Sequence, residues 1–359
     1  HAGFLGQDVL LVHDEAHLEP AFQELLLAIE AEQKRCKDFA PLKVMELTAT
    51  SRAGGEAFEL TNEEKEPPAA VPEPPSEPIH RVWRRLKAKK GLQFHPEKRG
   101  DVAKRIGQFA RAHAAKGSAV LVFVRTIDDV KAVQDVLTDK KNGGVERDRV
   151  QTLTGTLRGL ERDRLAKEDV VFARFMPEPK VTPKAGPVFL VCTSAGEVGV
   201  DISADHLACD LTTLDSMAQR LGRVNRRGDG AAEVDVVYES DPDPKRKDDP
   251  FEKARWRTKE VLERLPDCDW TPARREASPL CLRNLNPTED ERKAAFAPPP
   301  TILPTSDILF DAWALTTIRG RLPGRPPVEP YLHGVAEWQP PETHVAWRTE
   351  VQELRPEFE

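Results

Sequence analysis

Two adjacent carboxylates, Asp14 and Glu15, follow the apolar run DVLLVH at residues 8–13 and precede Ala16 and His17. Phosphoryl transfer to water needs one carboxylate to hold Mg²⁺, usually through its hydration shell, and a second to orient or deprotonate the attacking water. Asp14 and Glu15 at the end of a strand can supply both roles. Ala16 leaves room beside them, and His17 offers a switchable hydrogen bond. Alone, these four residues favour an ordinary charged turn. The segment QRLGRVNRRG at 219–228 changes the balance. On a helix Arg223 and Arg226 share a face, so two guanidinium groups reach one phosphate, and Gly222 permits close approach. Positive charge aimed at a transferring phosphoryl group is what an arginine finger provides. A basic helix lying on solvent does not explain Gln219 and Gly222 at these spacings. Between the two groups lies VCTSAGEVGVDI at 191–202, a strand that ends in a small, glycine-containing turn. Thr193 at its start can donate to a nucleic-acid phosphate, and Asp201 near its end can accept from a ribose hydroxyl or an arginine finger. Taken singly, it is a strand-to-helix turn.

These residues need elements to position them. The run at 8–13 reads as a buried strand ending at the rim of a parallel sheet. Phe22, Leu25, Leu26 and Ile29 recur at helical spacing within Pro20–Glu32, and a second strand, Lys43–Leu47, leads into Thr48, Ala49 and Thr50. From Glu63 to Pro78 the chain is Glu- and Pro-rich and reads as a solvated linker between two lobes. The basic stretch Arg81–Arg99 that follows reads mainly as a solvated connector. Then come a helix at Val102–Ala115, a strand at Ser118–Val124, a helix at Asp128–Leu137 that Asp128 can cap, a strand at Val150–Leu153, a polar helix at Glu161–Lys167 and a strand at Val188–Cys192. Val234–Tyr238 closes the lobe. Strands alternating with helices imply a parallel sheet covered on both faces. Beyond Glu239 the pattern decays into an accessory region, with helices near Glu252–Leu265 and Ser306–Thr317. The expected segments are thus 1–62, 63–100, 101–240 and 241–359.

Composition bounds the function. A chain of 359 residues with 39% hydrophobic content can fill two cores. Its net charge of −7 excludes a protein whose whole surface is a cation for nucleic acid, so any such contact is local. The five cysteines are scattered, none at the spacing of zinc or redox motifs, as in a reduced cytosolic protein. Apolar runs are too short to cross a bilayer, so no membrane contact is expected. The chain opens on His1 and runs almost at once into a strand, which suggests a cut through a domain rather than a signal peptide.

DEAH, LTAT, TSAGEVGVDI and QRLGRVNRRG, in that order, resemble motifs II, III, V and VI of superfamily 2 helicases over roughly residues 8–230. Asn225, GEVGVDI and the stretch LTGTLRGLERDRL at Leu153–Leu165 most resemble the CRISPR-associated helicase-nuclease of type I systems, in the lineage whose helicase lobes precede the nuclease domain. The resemblance implies an α/β fold of tandem RecA-like P-loop NTPase lobes with parallel sheets, the first incomplete here, plus a mixed C-terminal accessory region. It implies ATP between the lobes and single-stranded DNA across both. Asp14, with water-mediated Mg²⁺, and Glu15 would then be catalytic with Arg223 and Arg226. His17, Gly199, Asp201 and Gln219 would line the nucleotide site. Thr48 and Thr50 would couple hydrolysis to movement, and Thr126, Thr154, Gly155 and Thr193 would lie near the DNA backbone. The implied partners are a Cascade-like surveillance complex and an HD nuclease domain outside this chain. No Gly-Lys-Ser/Thr phosphate loop is present: Gly54-Gly55 and Gly143-Gly144 lack the lysine and hydroxyl, so the chain is not expected to hydrolyse ATP alone. His113, His206, His333 and His344 are isolated in sequence and none precedes an Asp, so no nuclease metal set is expected from them. A DEAH-type RNA helicase and a non-hydrolysing nucleic-acid-binding scaffold are the alternatives.

Overall fold

Short all-apolar runs such as AVLVF and VFLVC, too short for helices and rich in β-branched residues, are the seeds of a sheet buried on both faces. In the computed structural model, which describes residues 6–16, 19–48, 61, 66–68, 77–241, 246, 248–315, 325–332 and 334–335, they do form such a sheet. The elements run β1 (Leu10–Asp14), α1 (Pro20–Cys36), β2 (Lys43–Leu47), α2 (Pro78–Leu86), β3 (Lys89–Glu97), α3 (Val102–Ala112), β4 (Ala119–Phe123), α4 (Ile127–Thr138), β5 (Val150–Leu153), α5 (Gly159–Glu168), β6 (Val188–Cys192), β7 (His206–Asp210), α6 (Leu214–Gly222), β8 (Ala231–Glu239), α7 (Pro250–Leu262) and β9 (Arg275–Glu276). Short helices follow, among them α8 (Pro279–Asn284), α9 (Glu289–Ala295) and α10 (Asp307–Ala314).

Packing divides the chain into two units: His1–Leu11, Glu19–Val44 and Pro299–Glu359 form one, and Val12–Leu18 with Met45–Pro298 the other. In the first, α1 starts on a proline and stops where Lys37 turns left-handed at φ 56°, its N–H bonding back to the carbonyls of Gln33 and Lys34. Trp313 of α10 packs edge-on against Phe310 and Tyr331.

The second unit holds a seven-stranded sheet in the order β5-β6-β4-β7-β8-β3-β9, parallel except for β9. On one face Leu121, Phe123, Leu190 and Val234 pack with Met217 and Leu221 of α6 and Leu262 of α7. On the other, Val120, Val122, Val191 and Val237 pack with Ile106 and Ala110 of α3 and with Val130, Val133 and Leu137 of α4. At about 1.5–3 kcal/mol per buried large aliphatic side chain, these layers are the main hold on the sheet.

Several expectations need correction. The stretch assigned to a connector is folded into this unit: α2 and β3 fall inside 63–100, and β3 pairs along its whole length with β8. Val234–Tyr238 therefore lies inside a longer strand and does not close the sheet. β7 was missed because HLACD mixes His, Cys and Asp, yet all five residues are buried. The cap of α4 is Thr126, not Asp128; Thr126 and Asp129 form a reciprocal capping box, leaving Asp128 within the first turn. The strand expected at 8–13 runs from Leu10 to Asp14, and Leu10 and Val12 are exposed, since among the described residues only β2 lies beside β1. α7 and α10 match the two helices expected beyond Glu239.

Candidate active site and nucleic-acid edge

Asp14 is the last residue of β1 and Glu15 follows at φ 52°, a left-handed conformation uncommon outside glycine. The Glu15 N–H donates to Asp14 Oδ1 at 3.0 Å. Asp14, Glu15, Leu47 and Thr48 line a pocket of about 320 Å³ together with Gln219, Gly222, Arg223 and Arg226. Two carboxylates and two guanidinium groups from segments some two hundred residues apart thus share one space. His17 and Thr50 lie outside the described residues.

The arginines are not presented by a helix. α6 ends at Gly222; Arg223 is its C-cap, and Asn225 turns left-handed at φ 42°. Asparagine tolerates that conformation better than most residues, and here its side chain is fully used. Its Nδ2 donates to the carbonyls of Lys89 at 3.0 Å and Gly230 at 2.8 Å, and its Oδ1 accepts from the Gly230 N–H. The turn is also stitched to the strand leading into β7: Ala204 N–H donates to Arg223 O at 2.9 Å, and Asn225 N–H to Ala204 O at 2.8 Å. Gly222 does not serve close approach within the protein, since a Cβ there would meet nothing within 4 Å. Gly228 does: at φ 74°, an added Cβ would come within 2.3 Å of the Arg84 carbonyl.

Arg223 is largely buried and donates from Nε and Nη2 to the Glu197 carbonyl at 3.2 and 2.8 Å. Burial and then neighbouring Arg226 lower its pKa, against the pull of Glu15 and Asp201. Arg226 Nη1 lies 3.0 Å from Asp201 Oδ1, with both side chains about half exposed. An exposed pair of this kind contributes about 0–1 kcal/mol, so Arg226 exchanges partners at low cost. Gly199, at φ 73°, bends the turn between Glu197 and Asp201. Gln219 is buried on the pocket wall.

Arg220 received no role from its spacing, yet it is the anchor of α6. Buried at 4% exposure, it donates from Nε to Glu197 Oε1 at 2.7 Å and from Nη1 to Asp210 Oδ1 at 2.8 Å, above the ring of Phe123. Burial alone would lower its pKa, but Asp210 and Glu197 outweigh it and hold the group firmly charged. The signal available in the sequence was an arginine between apolar positions of a half-buried helix.

Strand order explains the threonines. β5, β6 and β4 are neighbours and parallel, so Thr154 and Thr193, just after β5 and β6, and Thr126, three residues after β4, come to one edge. Thr193 N–H donates to Leu153 O, and Val124 N–H to Cys192 O. Thr154 is buried, its hydroxyl 2.9 Å from that of exposed Thr156. Thr126 spends its hydroxyl on the capping box. Gly155 is exposed and open on its Cα face.

The histidines that looked isolated are not. His113 and His206 stack at 4.0 Å with rings 10° apart, and with Glu233 they form a group whose potential ligand atoms lie within 4.8 Å of one another. His206 Nδ1 already accepts the Glu233 backbone N–H at 3.1 Å, so its proton sits on Nε2, a poor starting point for a metal ligand. Burial, then His113, push His206 down to about 4. Asp235 lies 2.9 Å from both His95 and Arg274 and 3.6 Å from His113. His333 and His344 lie outside the described residues.

Residues 116–229 match the family model for the CRISPR-associated nuclease/helicase Cas3, C-terminal. No curated protein matches the chain. The crystal structure of T. fusca Cas3-AMPPNP is similar at 15% identity, covering 79% of this chain and 35% of that one with a TM-score of 0.52. T. fusca Cas3 matches at 16%, covering 80% and 35%, with a TM-score of 0.51. The chain spans about a third of the length of these solved proteins. No described helix is long and apolar enough to cross a membrane. The α/β fold thus resembles that of T. fusca Cas3, and residues 116–229 resemble the C-terminal family of that nuclease/helicase.

Proposed function

We propose that this chain forms part of an ATP-dependent single-stranded DNA translocase of CRISPR interference, acting in antiviral defence in the cytoplasm. The observation that carries this reading is the shared pocket in which Asp14 and Glu15 face Arg223 and Arg226. The donor set fits the groups the reading requires: carboxylates suit hydrated Mg²⁺, and guanidinium groups suit phosphate oxygens. ATP and Mg²⁺ would supply the phosphoryl group and neutralise its charge. Asp14 would hold the metal through water, and Glu15 would orient the attacking water or take its proton. Arg226, on exchanging Asp201 for a phosphate, and Arg223 would stabilise charge developing on the transferred group. Gln219, Gly199 and His17 would line the nucleotide, and Thr48 and Thr50 would relay its state. Thr126, Thr154, Gly155 and Thr193 would touch the DNA backbone, which carries no sequence information. A Cascade-like effector complex would recruit the motor, and an HD nuclease domain outside this chain would cut the strand it feeds. T. fusca Cas3 has been crystallised with AMPPNP, which supports a nucleotide in this site.

The test is ATP hydrolysis by a protein carrying this chain together with a Gly-Lys-Ser/Thr loop upstream, with single-stranded DNA and RNA of equal length. Turnover stimulated by DNA supports the reading. Stimulation by RNA alone points to an RNA helicase, and absence of turnover to a scaffold.

A further inference from the structure

The basic run RVWRRLKAKKG looks solvated in sequence, but one of its lysines is not. Lys90, the second residue of β3, is 2% exposed, and its Nζ donates to the carbonyl of Leu221 at 2.7 Å, across 131 residues of chain. We propose that Lys90 is a positioning residue whose buried ammonium holds the turn carrying Arg223 and Arg226. The proposal rests on the reading of those arginines given above.

Three observations support it. First, the acceptor sits where a cation acts. Leu221 lies in the last turn of α6, whose carbonyls lack i+4 helical partners and form the negative end of the helix dipole; the Val224 N–H reaches the Leu221 carbonyl at a long 3.4 Å. Second, burying an ammonium is costly, and lysine normally extends its charge to water. Lys90 instead sits on the face of β3 that bears Leu92, beside the core residue Leu221, where an apolar side chain would fill the space without a charge. Burial first, then the like charge of Arg226, push its pKa down to about 8, so the fold keeps this group against an electrostatic penalty. Third, the segment that leads into Lys90 also grips the turn. The Lys89 carbonyl accepts from Asn225, and the Arg84 carbonyl is packed so close to Gly228 that no Cβ fits. Arg84 to Lys90 therefore contact the arginine turn before, within and after Arg223–Arg226.

The test compares wild type with Lys90→Met, which keeps the length and removes the charge, with Lys90→Gln, which is polar but falls short of the Leu221 carbonyl, and with Lys90→Arg, which restores a cationic donor. Hydrogen exchange of this chain is read at residues 222–230 and, as a control, at 119–123 and 188–192. Expected is about tenfold faster exchange in the turn for Met and Gln, with the control strands still protected and partial recovery for Arg. Either of the first two variants, if folded, decides. Wild-type exchange in the turn, or equal loosening of turn and strands, overturns the proposal. In a hydrolysing protein containing the chain, Lys90→Met should lower kcat about tenfold or more at unchanged KM for ATP. Loosening of the turn in a protein whose wild type does not turn over ATP would retain the positioning role and reject the functional reading. A rise in KM at unchanged kcat would reject positioning in favour of ground-state binding.

Discussion

The two faces of the sheet treat buried charge in opposite ways at the N-terminal ends of β3 and β8. On one face Lys90 lies under a turn that carries Arg223 and Arg226, and Asp201, on the surface, is the carboxylate within salt-bridge distance of Arg226. On the other, Glu233 and Asp235 are matched by Lys116, Arg274 and His95, with His113 and His206 stacked beside them. The second arrangement is close to neutral, as a buried network must be if it is to stabilise a fold. The first sets the buried ammonium of Lys90 near Arg226, whose like charge adds to the cost of burying it. Arg223 and Arg226 face Asp14 and Glu15 across a pocket, so the contrast sets a paired structural cluster against the proposed phosphate site.

Experiments on each face can break that separation. The largest effect is expected from Arg226→Ala in a hydrolysing protein, a fall in turnover of about a thousandfold or more. Its melting temperature should stay near that of wild type, because the side chain is about half exposed; turnover close to wild type would remove the arginine-finger role. On the opposite face the expected loss is in stability and depends on pH. His206 has a folded pKa of about 4, below the ordinary value of 6.5, so the unfolded chain binds its proton first as pH falls. Stability should therefore decline from about pH 6.5 down through pH 4, by about 2 kcal/mol from this group. Urea unfolding at pH 7 and pH 4.5 should show a smaller difference for His206→Gln; an unchanged difference would remove His206 as the source. The smallest effect is expected from Asp201→Asn, which breaks an exposed pair and should change unfolding free energy by less than about 1 kcal/mol. A loss of several kcal/mol would show that the pair is structural rather than exchangeable.

Much of the sheet was legible because AVLVF and VFLVC are unbroken apolar runs, and a strand buried on both faces has no polar side to show. β3 was not. KKGLQFHPE carries Lys, Gln, His and Pro because one of its faces meets the charged cluster and the other holds Lys90, so periodicity could not distinguish it from a connector. The candidate site divides in the same way. Asp14, Glu15, Arg223 and Arg226 were identifiable from residue type and order, but the helical face assigned to the arginines was wrong. The helix stops at Gly222, and the left-handed Asn225 is held by carbonyls at Lys89 and Gly230.

Residue types and order alone determined the chemistry on offer: paired carboxylates, paired guanidinium groups, and hydroxyls at the ends of apolar strands. Tertiary structure decided which of them meet. The parallel order β5-β6-β4 put three threonines on one edge, burial turned a lysine of a basic run into a support for the arginine turn, and ring stacking joined two histidines ninety-three residues apart. Each outcome depends on contacts between distant segments. A hydrogen bond or a burial penalty acts over a few ångströms of space and takes no account of separation along the chain.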